Sequence, residues 1–225
     1  MGVMALPATI IDTRPGSSGN KFRRKRLARF MALVNRTLAE KSECRILDAG
    51  GTYEYWHAFR DMWEQLPVSV TMVNPVATHS PDPRIVSIAG DARAMPQFAD
   101  NSFDIVHSNS VIEHVGVWND MRAMANEVRR LAPRYFVQVP YFWFPLEPHN
   151  RVPFFHWMPV SWRIRILMAR DNGFWKKAEN VDEAMELVES AVLPDARQLR
   201  ALFPDAEIAR ERTFLLTKSL MAIRG

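Results

Sequence analysis

Residues 45–56 read RILDAGGTYEYW: a basic residue, a short apolar run, a carboxylate, two adjacent glycines and an aromatic cluster. Two readings compete for this stretch. The end of an ordinary buried strand needs only the apolar residues. A strand that leads into a ligand-binding turn also needs Asp48, Gly50 and Gly51 where they stand, because glycine lets the chain turn tightly and lets backbone amides approach a ligand with no Cβ in the way. The glycines are adjacent, and the spaced G-x-G-x-x-G of a dinucleotide loop is absent. The segments on either side therefore decide between the two.

Moving outward, strand-like apolar runs occur at 45–49, 69–73, 84–89, 103–107 and 135–139, and helical spacing fits 55–66 and 118–131 between them. Alternation of this kind predicts an α/β fold with a mostly parallel sheet covered by helices on both faces. At 141–159 the texture changes to YFWFPLEPHNRVPFFHWMP, where proline is too dense for a regular helix or a central strand. Beyond it, 161–170 and 181–202 read as helical, and AEIARERT (206–213) and KSLMAIRG (218–225) read as a closing antiparallel pair. No internal repeat is visible.

Composition sets the scale. A chain of 225 residues with 48% apolar and 24% charged side chains can bury one sizeable core. The expectation is a flexible segment at 1–20 and a single domain over 21–225, with a basic helix at 21–40 and an aromatic, proline-rich insert at 141–160. The single cysteine, Cys44, cannot form an internal disulfide, which fits a reducing cytoplasm. No apolar run approaches the roughly 18 residues of a membrane span, and the N-terminus has no signal-peptide pattern. The first 45 residues hold ten Lys/Arg against three Asp/Glu, and KFRRKR (21–26) lies among them. Such a run suits RNA phosphates or anionic lipid headgroups, or simply a solvated helix face. Leu27, Phe30, Met31, Val34 and Leu38 beside it recur at helical spacing, so the arm reads as an amphipathic helix docked on the domain.

In open α/β sheets, ligands bind beyond the carboxyl ends of the strands. Here four successive strand ends carry polar groups: Asp48 with Gly50 and Gly51; Asn74, ending VTMVN; Asp91 and Ala92, in IAGDARAMP; and Ser108 and Asn109, in FDIVHSNSVIEHV. One such residue alone reads as a helix cap. Four aligned at one edge read as a site.

These segments resemble the class I S-adenosylmethionine-dependent methyltransferases, closely over about 44–140 and loosely over the whole chain. ILDAGG looks like that family's first motif, VTMVN like its ribose-binding strand end, GDARAMP like its adenine-holding segment, and FDIVHSNSVIEHV like its fourth-strand motif. VPYFWFPLEPH and FFHWMP resemble a segment of bacterial methyltransferases associated with surface-polysaccharide clusters. The resemblance implies a Rossmann-like, doubly wound, seven-stranded sheet, mostly parallel, with an antiparallel strand in the last-but-one position. It implies S-adenosyl-L-methionine as cofactor, bound by Asp48, Gly50, Gly51, Asn74, Asp91, Ala92, Ser108 and Asn109. Two departures stand out: Thr52 and Glu54 occupy places where the family usually has further glycines, and Asn74 stands where it is usually acidic.

Methyl transfer asks mainly for alignment of nucleophile, methyl carbon and sulfur. For a hydroxyl acceptor a base must also remove a proton, a task suited to histidine near neutral pH. His114, Glu113 and His149 are the candidate catalytic residues. Glu147 and Arg151 in the insert would supply recognition, and His156 reads as structural. Glu113, His114 and His149 also have the chemistry of metal ligands, but related metal-dependent enzymes carry an extra Glu where this chain has Ser110, and no metal is expected. The expected acceptor is a small molecule or a sugar-containing surface precursor. RNA, reached through the basic arm, is the alternative substrate, and a non-catalytic protein that keeps the fold is a further one. A nicotinamide oxidoreductase is disfavoured by the missing glycines.

Overall fold

The structure is a computed structural model that describes residues 18–225, with side chains from Lys21 onward. The flexible segment expected at 1–20 lies outside the described residues, apart from Ser18–Asn20, which open the first helix. Strands β1 (Cys44–Ala49), β2 (Val68–Asn74), β3 (Ile85–Ala89), β4 (Ile105–Asn109), β5 (Arg134–Pro140), β6 (Glu207–Thr213) and β7 (Leu216–Arg224) form one sheet in the order β3-β2-β1-β4-β5-β7-β6. β1 pairs in parallel with both β2 and β4, and β2 with β3. β6 and β7 are neighbours joined only by Phe214 and Leu215, a connection that antiparallel strands alone can make. The sheet is therefore seven-stranded and mostly parallel, with β7 in the last-but-one position.

Burial follows strand position. In the interior strand β1, Ile46, Leu47, Asp48 and Ala49 are all buried, as expected of a parallel strand covered on both faces. In the edge strand β3, Val86 is exposed, and the other edge, β6, carries the polar sequence EIARERT. Charged, short edges discourage pairing with another chain.

The described residues divide into two compact units, the first comprising 18–109, Ala123–Val137 and Ile223–Gly225, the second Ser110–Arg122 and Gln138–Ala222. In the first, helix α1 (Ser18–Glu40) buries Leu27, Phe30, Met31, Leu33 and Val34, while Leu38 is only half-buried. Each fully buried side chain of this size contributes roughly 1.5–3 kcal/mol, enough to dock a helix whose other face is strongly basic. Helix α2 (Tyr53–Ala58) is shorter than the helix expected at 55–66: it stops at Ala58, and a 3₁₀ turn follows at Arg60–Met62. The cause is local, because the carbonyl of Trp56 accepts the indole N–H of Trp63 at 2.9 Å.

Helix α3 spans Trp118–Leu131. In the second unit, residues 141–159 form no strand or α-helix; the segment holds a 3₁₀ turn at Phe155–Trp157 and a bridge between Leu146 and Pro153. Helix α4 (Val160–Ala169) follows it. The helix expected at 181–202 is two helices, α5 (Val181–Glu189) and α6 (Ala196–Leu202). Pro194 interrupts the run, and Asp195 restarts it through a capping box with Gln198. Phe155, Leu167, Ala178, Ala184 and Val188 form one buried apolar cluster of this unit.

Candidate active site

The parallel register brings the carboxyl ends of β1 to β4 to one edge of the first unit, with Asp48 opposite Met72 and His107, and Asn74 opposite Ala89. The side chains there divide into two kinds. Asp48 is buried: its Oδ2 accepts the indole N–H of Trp56 at 2.7 Å, and its Oδ1 pairs with Nδ1 of the buried His107 at 2.8 Å. Ser108 is also fully buried and donates to the carbonyl of Ala49. Both residues brace the edge from inside. Gly50, Gly51, Asn74, Ala92 and Asn109 are half-buried, and Asp91 is exposed.

The two glycines shape the turn in different ways. Gly50 has φ of 80°, and its N–H is already bonded to the carbonyl of Val73. A Cβ on Gly51 would lie 1.9 Å from Oδ2 of Asp48, so this glycine makes room for the protein's own carboxylate. The Asn74 amide donates to the carbonyl of Gly51 at 2.8 Å, which fastens the turn and leaves its Oδ1 as an acceptor. An acidic side chain would lack that donor. Asp91 caps its own turn, taking the backbone N–H and the guanidinium of Arg93, which hold its carboxyl below the usual range. Sequence reasoning missed Trp56 and His107 as the partners of Asp48. The signal was an indole eight residues after the carboxylate; His107 carried none.

The second unit gathers Glu113, His114 and His149. Glu113 and His114 lie in a 3₁₀ turn (Ile112–His114), and His149 lies in the proline-braced insert. The insert is fixed by the buried Glu147, whose Oε2 accepts the backbone N–H groups of His149 and Asn150, both at 2.7 Å. Its Oε1 takes Nδ1 of His149 at 2.6 Å. A tight turn at Gly173, φ 57°, packs so closely on the Asn150 backbone that a Cβ there would lie 2.6 Å away, and the Trp175 ring stacks on His149. His114 directs its Nδ1 to the carbonyl of Ser190 at 2.7 Å.

The remaining ring nitrogens face each other, with Nε2 of His149 and Nε2 of His114 3.0 Å apart and Oε1 of Glu113 4.0 Å from the latter. Burial, with the neighbouring His149, pushes His114 down to about 4. Burial also opposes charge on His149, but Glu147 and Glu113 outweigh it and hold this imidazole above its ordinary value. His156, by contrast, directs Nε2 to the carbonyl of Phe142, and burial lowers it; its role is structural, as expected. Arg151 lies over the Phe174 ring.

Residues 61–134, which take in β2 to β4 and α3, match the family model of a methyltransferase domain. No curated protein matches the sequence. Among solved structures, a candidate sarcosine dimethylglycine methyltransferase from Galdieria sulphuraria matches at 14% identity and a TM-score of 0.49, covering 87% of this chain and 64% of its own. A phosphoethanolamine N-methyltransferase from Haemonchus contortus, in complex with S-adenosyl-L-methionine, matches at 17% and 0.49, with 80% and 37% covered. A candidate Zn-dependent alcohol dehydrogenase from Rhodobacter sphaeroides matches at 11% and 0.48, with 80% and 83% covered. The chain thus spans less than two thirds of the first two structures. Residues 61–134 thus match a methyltransferase domain, and the sheet order is the one that the resemblance to the class I S-adenosylmethionine-dependent methyltransferases implies. A methyltransferase domain implies S-adenosyl-L-methionine as its cofactor.

Proposed function

We propose that the protein transfers the methyl group of S-adenosylmethionine to a hydroxyl of a small molecule or of a sugar-containing precursor. The observation that carries the reading is the convergence of Glu113, His114 and His149 in a chain with a methyltransferase domain. A nitrogen acceptor with a free lone pair needs little more than orientation, whereas a hydroxyl must lose a proton, and a buried cluster of this composition suits that task.

On this reading the first unit holds the cofactor at its strand-end edge. Asn74 Oδ1 would accept from ribose hydroxyls, and Asp91, Ala92 and Asn109 would border the adenine and the amino-acid part, with Gly50 and Gly51 shaping the turn and Asp48 and Ser108 supporting it from below. The groups fit: the exposed ones keep acceptor capacity, and the buried ones are satisfied within the protein. Bound there, the cofactor supplies an electrophilic methyl carbon and receives the electron pair of the broken carbon–sulfur bond. The chain's own part is to orient the acceptor and to assist loss of its proton through Glu113, His114 and His149. Glu147 positions His149, and Arg151 and the aromatic residues of the insert would form recognition surface.

The test is methyl transfer from radiolabelled cofactor to hydroxylated small molecules, nucleotide sugars and total RNA in parallel. Label in the first two supports the reading, and label in RNA alone overturns it. RNA is the less favoured substrate because α1 docks through its apolar stripe, and Arg24 within the basic run is paired with Asp61. Deleting 1–26 should leave small-molecule turnover in place and would abolish salt-sensitive RNA binding.

A further inference from the structure

We propose that Glu113, His114 and His149 form a binding site for a divalent transition-metal cation of the Zn²⁺ type. The site itself follows from lone-pair geometry. Each imidazole has its Nδ1 against an oxygen that only accepts, the Ser190 carbonyl for His114 and the Glu147 carboxylate for His149. Both Nδ1 atoms therefore carry protons, and both Nε2 atoms present lone pairs in the neutral rings. Those lone pairs point at each other across 3.0 Å. Two lone pairs at that distance repel unless a cation lies between them, either a proton or a metal.

Three features favour the metal. One ligand atom from each of Glu113, His114 and His149 lies within 4.8 Å of the others, so a carboxylate oxygen joins the two nitrogens. Tetrahedral ligands at Zn–N distances of about 2.0–2.1 Å stand about 3.3 Å apart, so the two rings need open by only a few tenths of an ångström. The outer contacts are also those of a ligand set: Glu147 on His149 and a backbone carbonyl on His114 fix the tautomers and the ring planes, as such partners do around metal-bound histidines. Two imidazoles and one carboxylate suit Zn²⁺, Co²⁺ or Fe²⁺ and not Mg²⁺ or Ca²⁺.

The inference deepens the reading given above, resting on it for the cation's role and not for the site. Three protein ligands leave a coordination place open, the arrangement of a catalytic cation. An acceptor hydroxyl in that place would have its pKa lowered, would lose its proton to water, and would meet the methyl carbon as an oxyanion.

The test is titration of the chelator-treated full chain with Zn²⁺, without cofactor, followed calorimetrically, and with Co²⁺, followed by its visible absorption. One equivalent should bind, and Mg²⁺ should not compete. His149→Ala and Glu113→Gln should each weaken binding at least tenfold. Glu147→Gln, which does not reach the ion, should weaken it about 10-fold, the low end for loss of an orienting partner. Circular dichroism checks that each variant is folded. The site is overturned if the folded wild type gives no heat and no Co²⁺ spectrum, or if binding survives both ligand substitutions. It is equally overturned if NMR shows a proton shared by the two rings that persists in saturating Zn²⁺. Titrating the same sample with S-adenosylmethionine separates the two proposals: cation binding without cofactor binding sinks the methyl-transfer reading and leaves the site standing, and the reverse outcome sinks only the site.

Discussion

At the residue scale, the edge of the first unit is organised around Asp48. Its two oxygens hold the Trp56 indole and the His107 ring in a buried aromatic setting that also contains Phe30, Tyr55 and Phe136. Asp48→Ala would orphan both partners, and unfolding by denaturant should show a loss of about 2–4 kcal/mol, the combined cost of two stranded buried groups. Asn74 shows why a familiar acidic position holds an amide here. Asn74→Asp replaces a donor facing the Gly51 carbonyl with an acceptor, so it should lower stability by about 1–2 kcal/mol instead of improving cofactor affinity. A calorimetric titration showing tighter cofactor binding by the Asp variant would contradict this account. Cys44 is fully buried, and burial pushes its thiol up to about 12. It should resist thiol reagents at pH 8 in the native protein and react only on unfolding.

At the element scale, the strand positions were legible because each central strand is a run of apolar residues ending in polar ones, and parallel pairing turns that pattern into a common edge. Helix boundaries were less so. The ends of α2 and α5 depend on a Trp63 side chain that captures a backbone carbonyl and on a proline followed by a capping Asp, and periodicity is blind to both. The candidate site was legible as residue types and not as roles. His149 and His114 are 35 positions apart, and nothing local announced that their ring nitrogens would meet. The turn between α1 and β1 makes a separate prediction. Asp104 is buried, and although burial opposes its charge, Lys41 and the Arg45 backbone N–H hold its carboxyl below the usual range. Its contribution is therefore present above about pH 4 and lost as pH falls through its folded-state value. Denaturant midpoints between pH 7 and pH 3 should fall more steeply in the wild type than in Asp104→Asn. At the β6–β7 tip, Phe214 is fully exposed with φ of 52°, so Phe214→Gly should raise stability by about 0.5–1 kcal/mol in thermal unfolding, through relief of the left-handed conformation.

At the scale of the whole molecule, the two compact units divide the chemistry: polar strand ends in one, and a histidine–carboxylate cluster in the other. None of the helices among the described residues is long and apolar enough to cross a membrane. The acceptor was not legible in the sequence because the loops that choose it carry no periodic pattern, and a shared fold does not specify a substrate. The claim on which the rest depends is that the strand-end edge of the first unit grips the adenosyl sulfonium. Isothermal titration of the full chain with S-adenosylmethionine tests it most directly. A saturable one-to-one heat, reproduced by S-adenosylhomocysteine and absent with reduced nicotinamide cofactor, is the predicted result. A folded chain that gives no heat at millimolar S-adenosylmethionine would contradict it.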